Sequence, residues 1–208
     1  MTDIAFHITD IAENSLRAGA GNIAVGLALE GTRLLLSVAD DGCGMDRETA
    51  ARAVHPFCTS RTSRRVGLGL PFLFQNAALS GGSAALRSAP GRGTTVTARF
   101  MTDHPDCLPA GDLAETLMQL VTGTPAANIV LRLACDGRSS VLRSADLTDA
   151  LGGLPLGLPE TATAIRNLIA HQLDSVFGDR LRTFRPSPFF LTTFCYFSGE
   201  MLCYSHNK

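Results

Sequence analysis

A layered α/β sandwich is the fold class that the sequence predicts, and three observations carry it. "HITDIAENSLRAGA" (7–20) spaces its apolar residues as a helix does. "IAVGLALE" (23–30) and "RLLLSVAD" (33–40) follow as two short apolar runs separated by "GT". A further helical pattern and a further strand pair then repeat the arrangement. The order is helix, two strands, short helix, loop, helix, two strands.

Each element has its local reason. On a helix turning about 100° per residue, Ile4, Ile8, Ile11, Ser15 and Ala18 make one stripe, with Ala5, Ala12 and Leu16 beyond. Asp3, His7, Asp10, Asn14 and Arg17 fall on the neighbouring stripe. Such a face is commonly just solvated. Two details point further. Asn is unfavourable inside a helix because its amide competes for backbone hydrogen bonds, and a wet helical face is usually filled with Lys and Glu.

"GAGN" reads as a turn, and "DDGCGMD" (40–46) as a glycine-rich loop whose Asp46 can cap a short helix through about Val54. "HPFCTSRTSRRVGLG" (55–69) has no hydrophobic period. "LPFLFQNAALSGG" reads as a helix with Pro71 in its first turn and glycines closing it. "SAALRSA" and "TTVTARF", joined by "PGRG", predict a hairpin ending near Met101.

"TDHPDCLPAG" (102–111) reads as a linker, so residues 1–101 form one predicted domain. Residues 102–174 form a second, small α/β unit, with helix "DLAETLMQLV", strands near "NIVLRLAC" and "RSSVLRS", and helices near 146–151 and 160–174. No motif in it maps to chemistry. Residues 175–208 are an aromatic-rich tail holding both tyrosines and the only lysine. Its "PFFLTTFCYF" (188–197) fits an edge strand, a partner-binding segment, or a sequence not native to this fold.

With 208 residues and a net charge of −1, composition gives no electrostatic case for nucleic acid or an anionic membrane. No apolar run is long enough for a span, and the start is neither a basic nor a hydrophobic leader. The six cysteines are scattered with no CxxC pair, which fits reduced thiols in a cytoplasm better than zinc or disulfides. Cys43 and Cys58 lie inside motifs but read as small, half-buried side chains.

Asp40, at the end of a predicted strand and flanked by Gly42 and Gly44, can accept a hydrogen bond from an exocyclic amine while the glycines admit a flat ring. Alone, that pattern equally makes a tight turn. "VGLGLPF" (66–72) leads a glycine pair into a helix whose N-terminal N–H groups suit phosphate. "GRGTTV" (91–96) brings threonines into a strand from a hairpin turn.

In this order and spacing, the segments resemble the ATP-binding domain shared by DNA gyrase B, MutL and bacterial histidine kinases, the GHKL superfamily with its Bergerat fold. "AENSLRAGA" resembles the MutL asparagine box, whereas "PFCTSR…GLGL" is more similar to a histidine kinase. The resemblance covers roughly residues 3–100 and implies a mixed sheet with three helices, with ATP and Mg²⁺ as ligands. The second unit is similar to the C-terminal part of stand-alone kinase-like ATP-binding proteins of anaerobic bacteria.

By position, the resemblance implies that Asn14 ligates Mg²⁺ and that Arg17 lies near the phosphates or lid. Asp40 would hold the adenine amine, Gly42 and Gly44 would shape the pocket, and Thr94 would assist through an ordered water. Residues 58–66 would be the lid, whose Arg61, Arg64 and Arg65 could meet the γ-phosphate. Gly67 and Gly69 would line the triphosphate, and Met45, Thr59, Leu68 and Leu70 complete the expected ATP-binding set. The glutamate that activates water in gyrase B and MutL is here Asp10, one methylene shorter. Glu13 is the alternative base, although it projects roughly 100° away from Asn14. His7 reads as a packing or hydrogen-bonding residue rather than a phosphoacceptor.

The expected function is a cytoplasmic Mg-ATP-binding regulatory protein of histidine kinase-like type, passing a phosphoryl group to a protein partner such as a response regulator. It is not expected to be a complete sensor kinase, since no helical hairpin with a phosphoacceptor histidine precedes the domain. One rival is an anti-sigma-type serine kinase. Another is a non-catalytic switch that binds its partner through residues 102–174. A MutL-like ATPase fits less well, because the lid is short and the sequence shows no basic nucleic-acid patch.

Overall fold

The computed structural model describes residues 3–55, 68–124 and 126–181. In chain order the elements are α1 (Ile4–Arg17), β1 (Asn22–Glu30), β2 (Arg33–Asp40), α2 (Arg47–Ala53), α3 (Gly69–Leu79), β3 (Ser83–Ser88) and β4 (Thr94–Met101). Then come α4 (Leu113–Gly123), β5 (Asn128–Cys135), β6 (Arg138–Arg143), α5 (Ser144–Ala150) and α6 (Pro159–Phe177), followed by a 3-10 turn at Gly178–Leu181. One mixed sheet holds all six strands in the order β3-β4-β2-β1-β5-β6. Its β1–β5 pair is parallel and its other pairs are antiparallel.

The first helix begins three residues before the expected stretch and ends at Arg17. Asp3 sets the start, its carboxylate accepting from the Phe6 N–H at 2.7 Å. Ala18 and Gly19 close it by donating to the Asn14 and Leu16 carbonyls. Asp46 caps α2 in the same way, accepting from the Thr49 N–H at 2.7 Å.

Strand alternation divides the sheet into two unlike faces. Ile23, Val25, Leu27 and Leu29 of β1, Leu34, Leu36 and Val38 of β2, and Ile129 and Leu131 of β5 are buried beneath the helices. They join residues of α1, α3, α4 and α6 in one hydrophobic cluster. The alternate residues form the other face, where no described side chain is fully buried.

The segment read as a linker is packed. Cys107, Leu108 and Ala110 are buried, and the Pro109 and Ala110 carbonyls accept from the Ile4 and Ala5 N–H groups at 2.9 and 3.0 Å. A helix start always leaves such donors without intrahelical partners, and here the later segment satisfies them. Sheet and core therefore continue across residue 102. Helix α6 also runs past Ser175, where the tail was expected to begin, and buries Val176 and Phe177. Residues 182–208 lie outside the described residues.

Phe177→Ala removes a fully buried ring from this shared core and should cost about 3–5 kcal/mol. Urea unfolding should remain one transition, with circular dichroism and hydrodynamic radius coincident. Two resolved transitions would mean that the halves on either side of residue 102 unfold independently.

Candidate functional site

Alternation along β2 turns Leu34, Leu36 and Val38 toward the helices, and Asp40 continues that side of the strand. Its carboxylate meets α1, where the Ser15 hydroxyl donates to Oδ2 at 2.7 Å. The Gly42 and Thr94 N–H groups donate to Oδ1 at 3.0 and 3.2 Å. Two donors fill Oδ1, while Oδ2 keeps a lone pair for a further donor. The carboxylate is half-buried, so that position stays accessible.

The glycine loop reaches this place because two backbones nearly touch. Gly44 has φ +66°, and a Cβ on it would lie 2.0 Å from the Ala89 carbonyl oxygen. Gly93 has φ +76°, and its Cβ would lie 1.9 Å from the Asp40 carbonyl oxygen. Ser88 ties the two loops together. Its hydroxyl accepts from the Met45 N–H at 2.8 Å and donates to the Gly93 carbonyl at 3.0 Å. The Thr94 hydroxyl sits 2.9 Å from Ser88, so Thr94 reaches Asp40 through its backbone N–H rather than its side chain.

The polar stripe of α1 does not face one environment. His7 is fully buried, with Nε2 3.0 Å from the Asn76 amide of α3 and Nδ1 without a partner among the described residues. It belongs to the helix–helix contact, and Asp3 is spent on the cap. Asp10, Asn14 and Arg17 remain outside the core. Asp10 lies against the start of α3, where a Cβ on Gly69 would fall 2.6 Å from its Oδ2. Burial, followed by the charge of Glu13, raises the Asp10 pKa, and Arg17 opposes this. Arg17 donates to Asn14 Oδ1 at 2.5 Å and lies 3.9 Å from Glu13.

Leu68 occupies the N-cap position of α3, and its side chain makes no cap hydrogen bond. Leu70 packs against the core from the first turn. Thr59, Arg61, Arg64, Arg65 and Gly67, with the rest of the expected lid, lie outside the described residues. The structure thus gathers Asp40, Gly42, Gly44, Met45 and Thr94 around one carboxylate, and sets Asp10 beside Gly69. Ser15 and Ser88 were missed by sequence reasoning. Ser15 sits in the apolar stripe, and only its position one residue after Asn14 hints at a second polar face.

Residues 3–104 match the family described as histidine kinase-, DNA gyrase B-, and HSP90-like ATPase, and this part of the chain belongs to that family. A sensor-like histidine kinase of Rhizobium meliloti is 34% identical over 88 residues, covering 40% of this chain and 17% of the relative. The DNA mismatch repair protein MutL of Geobacter sulfurreducens is 43% identical over 54 residues, covering 26% of this chain and 9% of the relative. The chain thus spans less than a fifth of these relatives' length. The Aquifex aeolicus MutL ATPase domain complexed with ADP is a distant structural neighbour. It is 18% identical, with a TM-score of 0.44, over 69% of this chain and 63% of that one.

Burial lowers the His7 pKa from 6.5 to about 4, with Asp3 pulling the other way. The unfolded chain therefore takes up this proton first as pH falls from 6.5 toward 4, and stability is lost across that window. The loss from this group alone is on the order of 3 kcal/mol, at about 1.4 kcal/mol per unit. In His7→Phe the slope of unfolding free energy against pH should flatten over the same window. An unchanged slope would show that His7 does not titrate with folding.

Proposed function

We propose that the chain is a Mg-ATP-binding regulatory protein of histidine kinase-like type that passes the γ-phosphoryl group to a protein partner. The observation that carries the reading is the Asp40 carboxylate, held by Ser15, Gly42 and Thr94 with one lone pair left for an adenine amine. Membership of residues 3–104 in the ATPase family supports it. From Asp40 the nucleotide would extend toward the start of α3, where uncapped N–H groups and the helix dipole favour phosphate.

The donor set suits Mg²⁺, a hard cation that takes few protein oxygens and keeps phosphate and water ligands. Asn14 would hold it through Oδ1 once Arg17 turns away. Both side chains are exposed, so the turn costs little, and it would carry the guanidinium toward phosphate. The metal would draw charge from the phosphates, while the chain's own residues bind and orient them. In phosphoryl transfer, positioning and charge neutralisation do most of the work.

Asp10 favours transfer or switching over brisk hydrolysis. Its raised pKa suits a base, but its short arm rests against Gly69 and would reach an attacking water through a second water. An anti-sigma-type serine kinase would use the same site on a different acceptor. A non-catalytic switch would use only the binding step, with the C-terminal half as its effector surface.

Incubation with γ-labelled ATP and candidate partners separates these readings: label on a protein supports a kinase, free phosphate an ATPase, and neither a switch. Asp40→Asn should weaken ATP binding by ~1–3 kcal/mol with the fold retained. Unchanged affinity in calorimetry would remove Asp40 from the pocket. Asn14→Ala should abolish Mg-dependent binding. Asp10→Asn should leave binding largely intact and remove turnover, and Asp10→Glu should raise turnover if arm length limits it. Brisk turnover that survives Asp10→Asn would place the base elsewhere, with Glu13 the next to test.

A further inference from the structure

The uncovered face of the sheet has a composition of its own. Its floor, on the central strands β1 and β2, consists of Ala24, Gly26, Ala28, Leu35, Ser37 and Ala39. All but Leu35 are small, and the Ser37 hydroxyl takes the space over Gly26, where a Cβ would lie 2.4 Å from it. A shallow depression of about 260 Å³ opens over this floor and extends onto β5 and β6.

Arginines stand on both sides of the β1–β2 floor. Arg99 on β4 is directly opposite Leu35, and Arg87 on β3 lies beyond it, opposite Thr95. Arg132 on β5 is in register with Gly26. All three are exposed, and none makes an ion pair among the described residues. Arg143 at the far edge is engaged with Asp146 at 3.6 Å. The acidic groups near this face are at its ends, Glu30 opposite Arg33 at one and Asp41, held by Asn22, at the other. In a chain of net charge −1, three strands thus bring three arginines without ion pairs among the described residues onto one surface.

Distances select the occupant. Arg99 and Arg132 stand on strands three sheet positions apart, roughly 14 Å at the usual strand spacing. An α-helix with its side chains is about 10–12 Å across and fits between them. Residues 182–208 do not have the complementary charge, since Arg182, Arg185 and Lys208 outnumber Glu200. The rows that make up the face carry no aromatic residue, so there is no platform on which unpaired bases could stack.

We propose that the open face of the sheet docks an acidic amphipathic helix of a partner protein. Its small apolar strip would lie on the β1–β2 floor, and its carboxylates would meet Arg99 and Arg87 on one flank and Arg132 on the other. The site lies across the sheet from Asp40 and does not depend on the nucleotide reading.

The test uses the full chain and a fluorescein-labelled synthetic helix with an Ala/Leu strip flanked by glutamates. Its lysine counterpart and oligo-dT serve as comparisons, all followed by anisotropy at low salt. The acidic helix should bind at least about tenfold more tightly than the lysine helix, and added salt should weaken it. Arg99→Glu/Arg132→Glu should reduce that affinity at least about tenfold while the thermal midpoint stays unchanged. Equal binding by wild type and variant would overturn the proposal, as would failure of the acidic helix to bind. Oligo-dT binding as tightly as the acidic helix would assign the face to nucleic acid instead. Self-association of the free chain that the double variant abolishes would assign it to a second copy.

Discussion

The rest of the molecule is arranged around the burial of α1, a helix with few free flanks. Ile4, Ile8 and Ile11 press on the sheet, His7 meets Asn76 of α3, and α4 packs along another side. Even its first N–H groups are tied to the segment after β4. Because α1 is clamped in this way, Ser15 is held over the end of β2 and can orient Asp40. Moving α1 along its axis by one residue would break the cap, the buried amide contact and the carboxylate hold together. The polar groups that remain exposed on it, Asn14 and Arg17, are therefore delivered at a fixed distance from Asp40 while keeping rotamer freedom of their own.

The strands were legible because alternation is a local signal. Leu34, Leu36 and Val38 name the buried side of β2 without help from any other part of the chain, and Asp40 follows on the same side. The glycine positions were legible for a related reason, since Gly44 and Gly93 answer steric demands that few other residues meet. What escaped depended on partners far away in sequence. His7 and Asp10 share a stripe, and only the placement of α3 makes one of them core and the other surface. Residues 102–111 have the composition of a linker, yet their carbonyls complete a helix that begins about a hundred residues earlier.

The arginines show the same limit for charge. Arg87, Arg99 and Arg132 sit in three different strands, so no run of basic residues marks them, and the net charge hides them. Pairing order and register bring them onto one face. Where composition spoke of the whole chain, the sheet sorts that charge into two unlike sides. One side is apolar beneath the helices, and the other is small and basic.

The parallel pairing of β1 with β5 has a consequence for how the chain is made. Asn22 and Asn128, which meet at the start of that pair, are 106 residues apart. On a ribosome, α1 through β4 emerge with one edge of β1 unpaired, its N–H and C=O groups open to any passing strand. Closing so long a loop is slow compared with forming a hairpin, so this edge stays exposed while synthesis continues. Until β5 pairs with it, the half of the chain that matches the ATPase family carries an open edge at β1. The strand that covers this edge is made later, from Asn128–Cys135.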